Sequence, residues 1–232
     1  MNVNRVKVIT ALIFISCTIL VYSIFNGIPF GNYIAKTKIE NYVEQVYGIT
    51  EDVQKPQYNF KSSSYLTNLS QIKNEISYDL LHNTIYDERV AEEYGNKFQK
   101  EYTDLKKSYN ANIELPPAHI YTVILANGKY SNNIYKLKSS QMLYIIGIIN
   151  RDKITYKDSQ KAPSKITKEI LNKLSNNFNV TSLQVRYTDL NGSYEIIVKR
   201  KKTISEEELQ KNTLKMDEIG EEDKVLIREL NK

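Results

Sequence analysis

The chain has 232 residues, 41 % hydrophobic and 25 % charged, a globular rather than disordered composition. Its net charge is +5, and setting aside Arg5 and Lys7 leaves +3 on the remainder, which excludes a nucleic-acid electrostatic footprint and nucleic acid as a partner. The single cysteine, Cys17, lies in the first apolar run, so everything after that run has no disulfide and depends on a packed core.

Val8 to Phe25 are eighteen consecutive uncharged residues, eleven of them Val, Ile, Leu or Phe. At about 1.5 Å per residue a helix of this run is about 27 Å long, close to the ~30 Å hydrocarbon layer of a bilayer. Eleven such side chains favour insertion by about 3–7 kcal/mol. Thr10, Ser16 and Thr18 return their hydroxyls to the helix backbone, and Tyr22 falls where the interface accepts an amphipathic ring. Three readings compete. A cleaved signal needs a small-x-small site, and bulky Phe25 in Ser23-Ile24-Phe25-Asn26-Gly27 is wrong for one. A lipoprotein signal would use Cys17, but Phe14 is a poor lipobox residue and cleavage there would leave the apolar octet Thr18–Phe25. Length and flanks favour the uncleaved anchor, with Cys17 as a small apolar residue within it. Arg5 and Lys7 precede the run and the next charge is Lys36. The positive-inside rule therefore puts residues 1–7 in the cytoplasm and the rest outside.

Asn26-Gly27-Ile28-Pro29-Phe30-Gly31 ends this helix. Asn32 is placed to cap a second one, whose stripe is Ala35, Ile39, Tyr42, Val43 and Val46, with Gly48 as its stop. Strands are expected over Val53–Phe60, Tyr65–Ile72 and Glu75–His82, the first two joined by the turn Lys61-Ser62-Ser63-Ser64. Asp87 reads as the N-cap of a helix with Val90, Tyr94, Phe98, Tyr102 and Leu105 on one face and Lys106-Lys107 at its negative end. Residues 31–108 thus form one module of order α-β-β-β-α, and polar Ser108 to Pro117 is the expected boundary.

Beyond it, Ile120–Leu125 and Met142–Asn150 read as strands with buried faces. A helix entered near Pro163-Ser164 carries Ile166, Ile170, Leu171, Leu174 and Phe178. Val180–Thr188 and Tyr194–Arg200 pair as a hairpin across Asp189-Leu190-Asn191-Gly192-Ser193, and Ser205 with Glu208 makes a capping box for a last helix. Helix–strand–strand thus occurs twice, near 33–72 and 164–200. The fold class is α+β: an N-terminal transmembrane helix over 8–25, two small α+β lobes over 31–108 and 118–218 with antiparallel strands, and a charged tail over 219–232.

Residues able to carry chemistry are sparse. A metal site needs converging ligands, and His82 and His119 are the only histidines, one on an expected strand and one beside Pro117. Ser62-Ser63-Ser64 offers hydroxyls without the Gly-flanked elbow of a nucleophile, and a turn explains them better. Asp189-x-Asn191-Gly192 resembles half of a calcium loop but lacks its bidentate acid, and a hairpin accounts for it. Glu92-Glu93 and Glu206-Glu207-Glu208 are carboxylate pairs near helix N-termini, where the dipole stabilises them. Lys199-Arg200-Lys201-Lys202 is the one dense basic run, able to meet anionic headgroups or wall polymer but more simply a solvated strand end. Among eighteen tyrosines, Tyr42, Tyr94 and Tyr102 fall on core stripes. No catalytic, cofactor-binding or metal-binding set emerges, and no cofactor is implied.

Asn26-Gly27-Ile28-Pro29-Phe30-Gly31 followed by Tyr33, Ala35-Lys36, Tyr42 and Tyr58-Asn59-Phe60-Lys61, directly after an N-terminal anchor, resembles the YfjL-like family of small membrane-anchored proteins of Gram-positive bacteria. Tyr86-Asp87-Glu88-Arg89-Val90 with Glu101-Tyr102 is similar too, and Tyr144 to Leu209 is similar in the order of its elements. Ser62-Ser63-Ser64 stands where such proteins usually carry a Gly in the turn. The resemblance implies no activity and transfers no catalytic residue. The expected function is that of a single-pass membrane protein with an extracytoplasmic binding domain, its partner a membrane or cell-envelope protein. The alternatives are an envelope enzyme with a carboxylate-based site and a lipid-modified or secreted protein.

Overall fold

A computed structural model describes residues 3–50, 53–109, 112–174, 178–199 and 201–216, with side chains from Lys7 onward. The charged tail expected over 219–232, and Arg200 of the basic run, lie outside the described residues. The elements in chain order are α1 (Val3–Asn26), α2 (Gly31–Tyr47), β1 (Gln57–Asn59), β2 (Ser64–Leu69), β3 (Asn74–Asp79), β4 (Thr84–Asp87) and α3 (Glu88–Ser108). They continue with β5 (Ile113–Glu114), β6 (Ala118–Leu125), a 3-10 turn (Ile134–Lys136), β7 (Ser139–Asn150), α4 (Tyr156–Ser159), α5 (Ala162–Lys173), β8 (Val180–Asp189), β9 (Gly192–Val198), α6 (Glu206–Lys211) and β10 (Thr213–Lys215). Helices and mixed strand pairing make the chain α+β. It divides into two compact units, Met1–Arg89 with Val123–Lys138, and Val90–Thr122 with Ser139–Lys232.

In the first unit β1 to β4 form an antiparallel meander, with Tyr58 opposite Tyr65, Tyr65 opposite Tyr78, and Tyr78 opposite Ile85. The end of β6 adds Ile124 opposite Ile85. The period-two pattern turns Tyr65, Ile76, Tyr78 and Ile85 to the buried side. The α2 stripe Ala35, Ile39, Tyr42, Val43 and Val46 is buried as its spacing predicts, and α2 packs on β2 and β3. Gly48 ends α2 in the left-handed region and donates its N–H to Glu44 O. At the other end Asn32 is not the cap: α2 starts at Gly31, and Phe30 holds the cap position in the left-handed region with no side-chain cap bond. The lobe has four strands rather than three, because Leu80 to Asn83 form a turn, with Asn83 at φ 51, that separates β3 from β4.

In the second unit β8 pairs with β7 and β9, β10 with β9, and β5 with the end of β7. One pairing corrects the antiparallel expectation: β7 and β8 are parallel, Ile145 opposite Val185. Their connection runs through α4 and α5, and such a crossover is what parallel neighbours require. The hairpin expected at Asn191-Gly192 is present, Asp189 opposite Gly192. Ile166 and Ile170 of α5 are buried with Leu143, Ile145, Val185 and Ile196 in a common core. The α3 stripe is also buried, but its Phe98, Tyr102 and Leu105 join this same core. Phe98 stacks on Tyr102 at 5.4 Å and meets Phe178 edge-on at 5.9 Å. The division therefore falls at Arg89 and Val90, not over Ser108 to Pro117, and α3 from Val90 onward goes with the strands that follow it.

Candidate functional site: the junction below the first unit

The link between α1 and α2 is only Gly27-Ile28-Pro29-Phe30. Gly27 has φ +76, and the Tyr65 ring of β2 lies against it and Gly31. A Cβ on Gly31 would come within 1.8 Å of Tyr65 Oη, and one on Gly27 within 2.4 Å. Tyr65 donates to Ile28 O at 3.4 Å, and burial pushes its phenol above the ordinary range. The two glycines thus form a socket for one tyrosine, which fixes where the first helix leaves the folded unit. Beside it is a cavity of about 480 Å³ lined by Tyr22, Phe25, Asn26, Lys55, Tyr58 and Tyr65 among others. Phe25 meets Phe60 of the β1–β2 turn at 6.2 Å, and Lys55 Nζ stands 4.9 Å from the Tyr33 ring centre. Around this junction Phe25, Ile28, Phe30, Tyr33, Ile34 and Phe60 are exposed, Phe30 at 75 %.

Two buried carboxylates organise the interior. Asp87 is 1 % exposed. Its Oδ2 accepts from the hydroxyls of Tyr42 (2.8 Å) and Tyr47 (2.7 Å), and its Oδ1 from Asn74 Nδ2 (2.9 Å). Asn74 Oδ1 in turn accepts the Arg89 backbone N–H at 3.1 Å, in the first turn of α3. Burial first, and the Asp87 charge second, push the Tyr42 and Tyr47 phenols far up, so both remain protonated donors. The segment 123–138 closes over Tyr42: the Tyr130 ring meets it edge-on at 5.0 Å, and Gln45 Oε1 accepts the Tyr130 N–H at 2.9 Å.

In the second unit Asp189 is fully buried. Its Oδ2 accepts from Ser159 Oγ (2.5 Å) and the Tyr187 hydroxyl (3.0 Å), and its Oδ1 from the Asn191 N–H (2.7 Å). Asn150 Nδ2 donates to the Tyr187 hydroxyl at 3.0 Å, and Tyr187 is again pushed up by burial and then by Asp189. Charge-assisted bonds of this kind contribute about 1.5–3 kcal/mol each. Phenols locked in the neutral form serve as pins, not as bases.

Residues 3–94 match the family model described as YfjL-like, N-terminal domain. The likeness to this domain covers 92 of the 232 residues, the N-terminal part of the chain. No curated protein and no solved structure matches it. The YfjL-like match spans α1, α2, the β1–β4 meander and the start of α3, so it contains the whole Gly27–Gly31–Tyr65 socket and the Asp87 network. The likeness of element order over 144–209 falls outside it.

Within the YfjL-like domain, His82 sits in the β3–β4 turn rather than on a strand, with Nδ1 2.5 Å from Asp79 Oδ2. Ser62 and Ser64 hydroxyls bond each other at 2.7 Å in the β1–β2 turn, which Ser63 completes at φ 52. Glu92 and Glu93 are exposed on α3. Further on, His119 is exposed on β6, and Ser205 caps α6 by accepting the Glu208 N–H at 3.1 Å. Lys201 of the basic run pairs with Glu208 at 3.2 Å, which with Asn212 holds the Glu208 carboxyl below its ordinary range. The Asp189 carboxylate is turned inward by its hairpin. Sequence reading missed Tyr47 and Asn74 as partners of Asp87, and it read Gly27 and Gly31 as breakers rather than as a socket. Their spacing of four around Pro29 was the available signal.

Proposed function

We propose that this YfjL-like chain is a single-pass membrane protein whose two α+β units lie outside the cytoplasm and act by binding a membrane or cell-envelope protein. The observation that carries the anchor is α1. Among the described residues one helix is long and apolar enough to cross a bilayer, and none of its most apolar window is buried. Its side chains are exposed all round, Leu12 at 58 %, Phe14 at 74 % and Leu20 at 63 %, which a core helix would not be. Binding is supported by the second unit's sheet, where Ile146 and Ile197 are exposed on strands whose other faces are buried.

Alkaline carbonate extraction of membranes is the first test: the chain stays in the pellet if α1 spans, and release into the supernatant rejects the anchor. Intact mass then separates the anchor from cleavage and from acylation at Cys17. For orientation, Ser63→Cys in a Cys17→Ser background reacts with a membrane-impermeant maleimide on intact cells; labelling only after lysis rejects the outward topology. A photo-crosslinking residue at Ile197 captures a defined membrane or envelope protein in situ, and the absence of any adduct counts against the binding role.

A further inference from the structure

The meander of the first unit has two ends. The β1–β2 turn (60–63) and the β3–β4 turn (80–83) share one end, because each strand reverses the last, and the β2–β3 turn (70–73) lies at the other. At the first end the tips are apolar and outward: Phe60 is 54 % exposed and Leu81 82 %. The opposite turn reads Ser70-Gln71-Ile72-Lys73. The α1–α2 junction belongs to the same end as Phe60, since the Phe25 and Phe60 rings meet at 6.2 Å. Along the outward side of α2 the chemistry changes with distance from that junction, from Phe30, Tyr33 and Ile34 to Thr37, Asn41 and Glu44, all exposed.

We propose that this end of the first unit is a membrane seat, with Phe30, Tyr33, Phe60 and Leu81 in the headgroup layer of the leaflet where α1 ends. The proposal rests on the anchor reading above. Its occupant is the bilayer interface because the patch is continuous with α1: four residues separate Asn26 from Gly31, too few to lift Phe30 clear of the headgroups. Its composition is that of an interfacial contact, rings and aliphatic tips with cations beside them. Lys61 adjoins Phe60, and Lys55 stands over Tyr33. The short link and the Tyr65 socket hold the unit against the bilayer instead of on a tether.

The chain has no tryptophan, so each single-tryptophan variant reports its own environment. Phe30→Trp, Phe60→Trp and Leu81→Trp of the full chain, reconstituted in phosphatidylcholine–phosphatidylglycerol vesicles, fluoresce to the blue of Gln71→Trp. They are quenched by lipids brominated near the glycerol more than by lipids brominated near the chain end. Phe14→Trp reports the anchor and is quenched by the deep bromines. If Phe14→Trp is quenched and the Phe60 and Leu81 reporters match Gln71→Trp, the seat is overturned and the anchor stands. If Phe14→Trp escapes quenching, the anchor reading fails, and the seat fails with it unless the three shallow reporters are still quenched. Quenching of Gln71→Trp to the same extent also overturns the seat, because the whole unit would then be embedded.

Discussion

The Tyr65 hydroxyl occupies the space that any side chain at Gly31 would need, with Oη 1.8 Å and Cζ 2.3 Å from where a Cβ would stand. Gly31→Ala therefore displaces the ring and costs about 1–3 kcal/mol. Tyr65→Leu removes the obstructing ring end, so the double variant is more stable than the sum of the single losses. Urea denaturation of the four proteins in a double-mutant cycle checks this; strict additivity would mean that the socket does not exist.

Asp87→Asn keeps the shape and reverses the polarity of one arm toward donors from Tyr42, Tyr47 and Asn74. The expected loss is roughly 3 kcal/mol, far above that of Asp79→Asn at the half-buried end of β3. Asp189→Asn behaves alike, since Ser159, Tyr187 and the Asn191 N–H converge on that carboxylate. Equal, small shifts in midpoint for all three variants would contradict the role given to the buried pair.

Alkaline pH tests the phenols. The folded-state pKa values of Tyr42, Tyr47 and Tyr187 are raised by burial and by their carboxylates, whereas the unfolded chain ionises near about 10. Above that pH the folded state binds more protons than the unfolded state, so stability is fully present below about 10 and falls as pH rises further. Ultraviolet phenolate titration should show a class of tyrosines that ionise only as the protein unfolds. A single class titrating near the ordinary value would refute it.

Phe98→Ala opens space between Tyr102 and Phe178 and costs about 3–5 kcal/mol. By amide hydrogen exchange the loosening should reach α5 and β8, which share its core, before α2 and β2. The reverse order would return α3 to the first lobe.

Local periodicity made the helices legible. Ala35 to Val46 and Val90 to Leu105 recur at helical spacing, and those side chains are the buried ones. It was silent on what each stripe packs against, so α3 was grouped with the strands before it. β4 was missed because Leu80-Leu81-His82-Asn83 turns without Gly or Pro. The parallel pairing of β7 with β8 is set by the crossover between them, which no strand pattern encodes. Tyr42 and Asp87 are 45 positions apart, beyond any motif, so the Asp87 cluster became visible only in three dimensions.

The two units are interleaved along the polypeptide, each made of two separate stretches. During synthesis the first can gather α2 and the meander early, but the cover over Tyr42 arrives only with residues 123–138, after most of α3 and β6 have emerged. The second cannot seal until β8 reaches back to β7. A chain ending near residue 100 lacks both the 123–138 cover of the first unit and most of the second, so such truncations should be degraded rather than accumulate as a stable fragment.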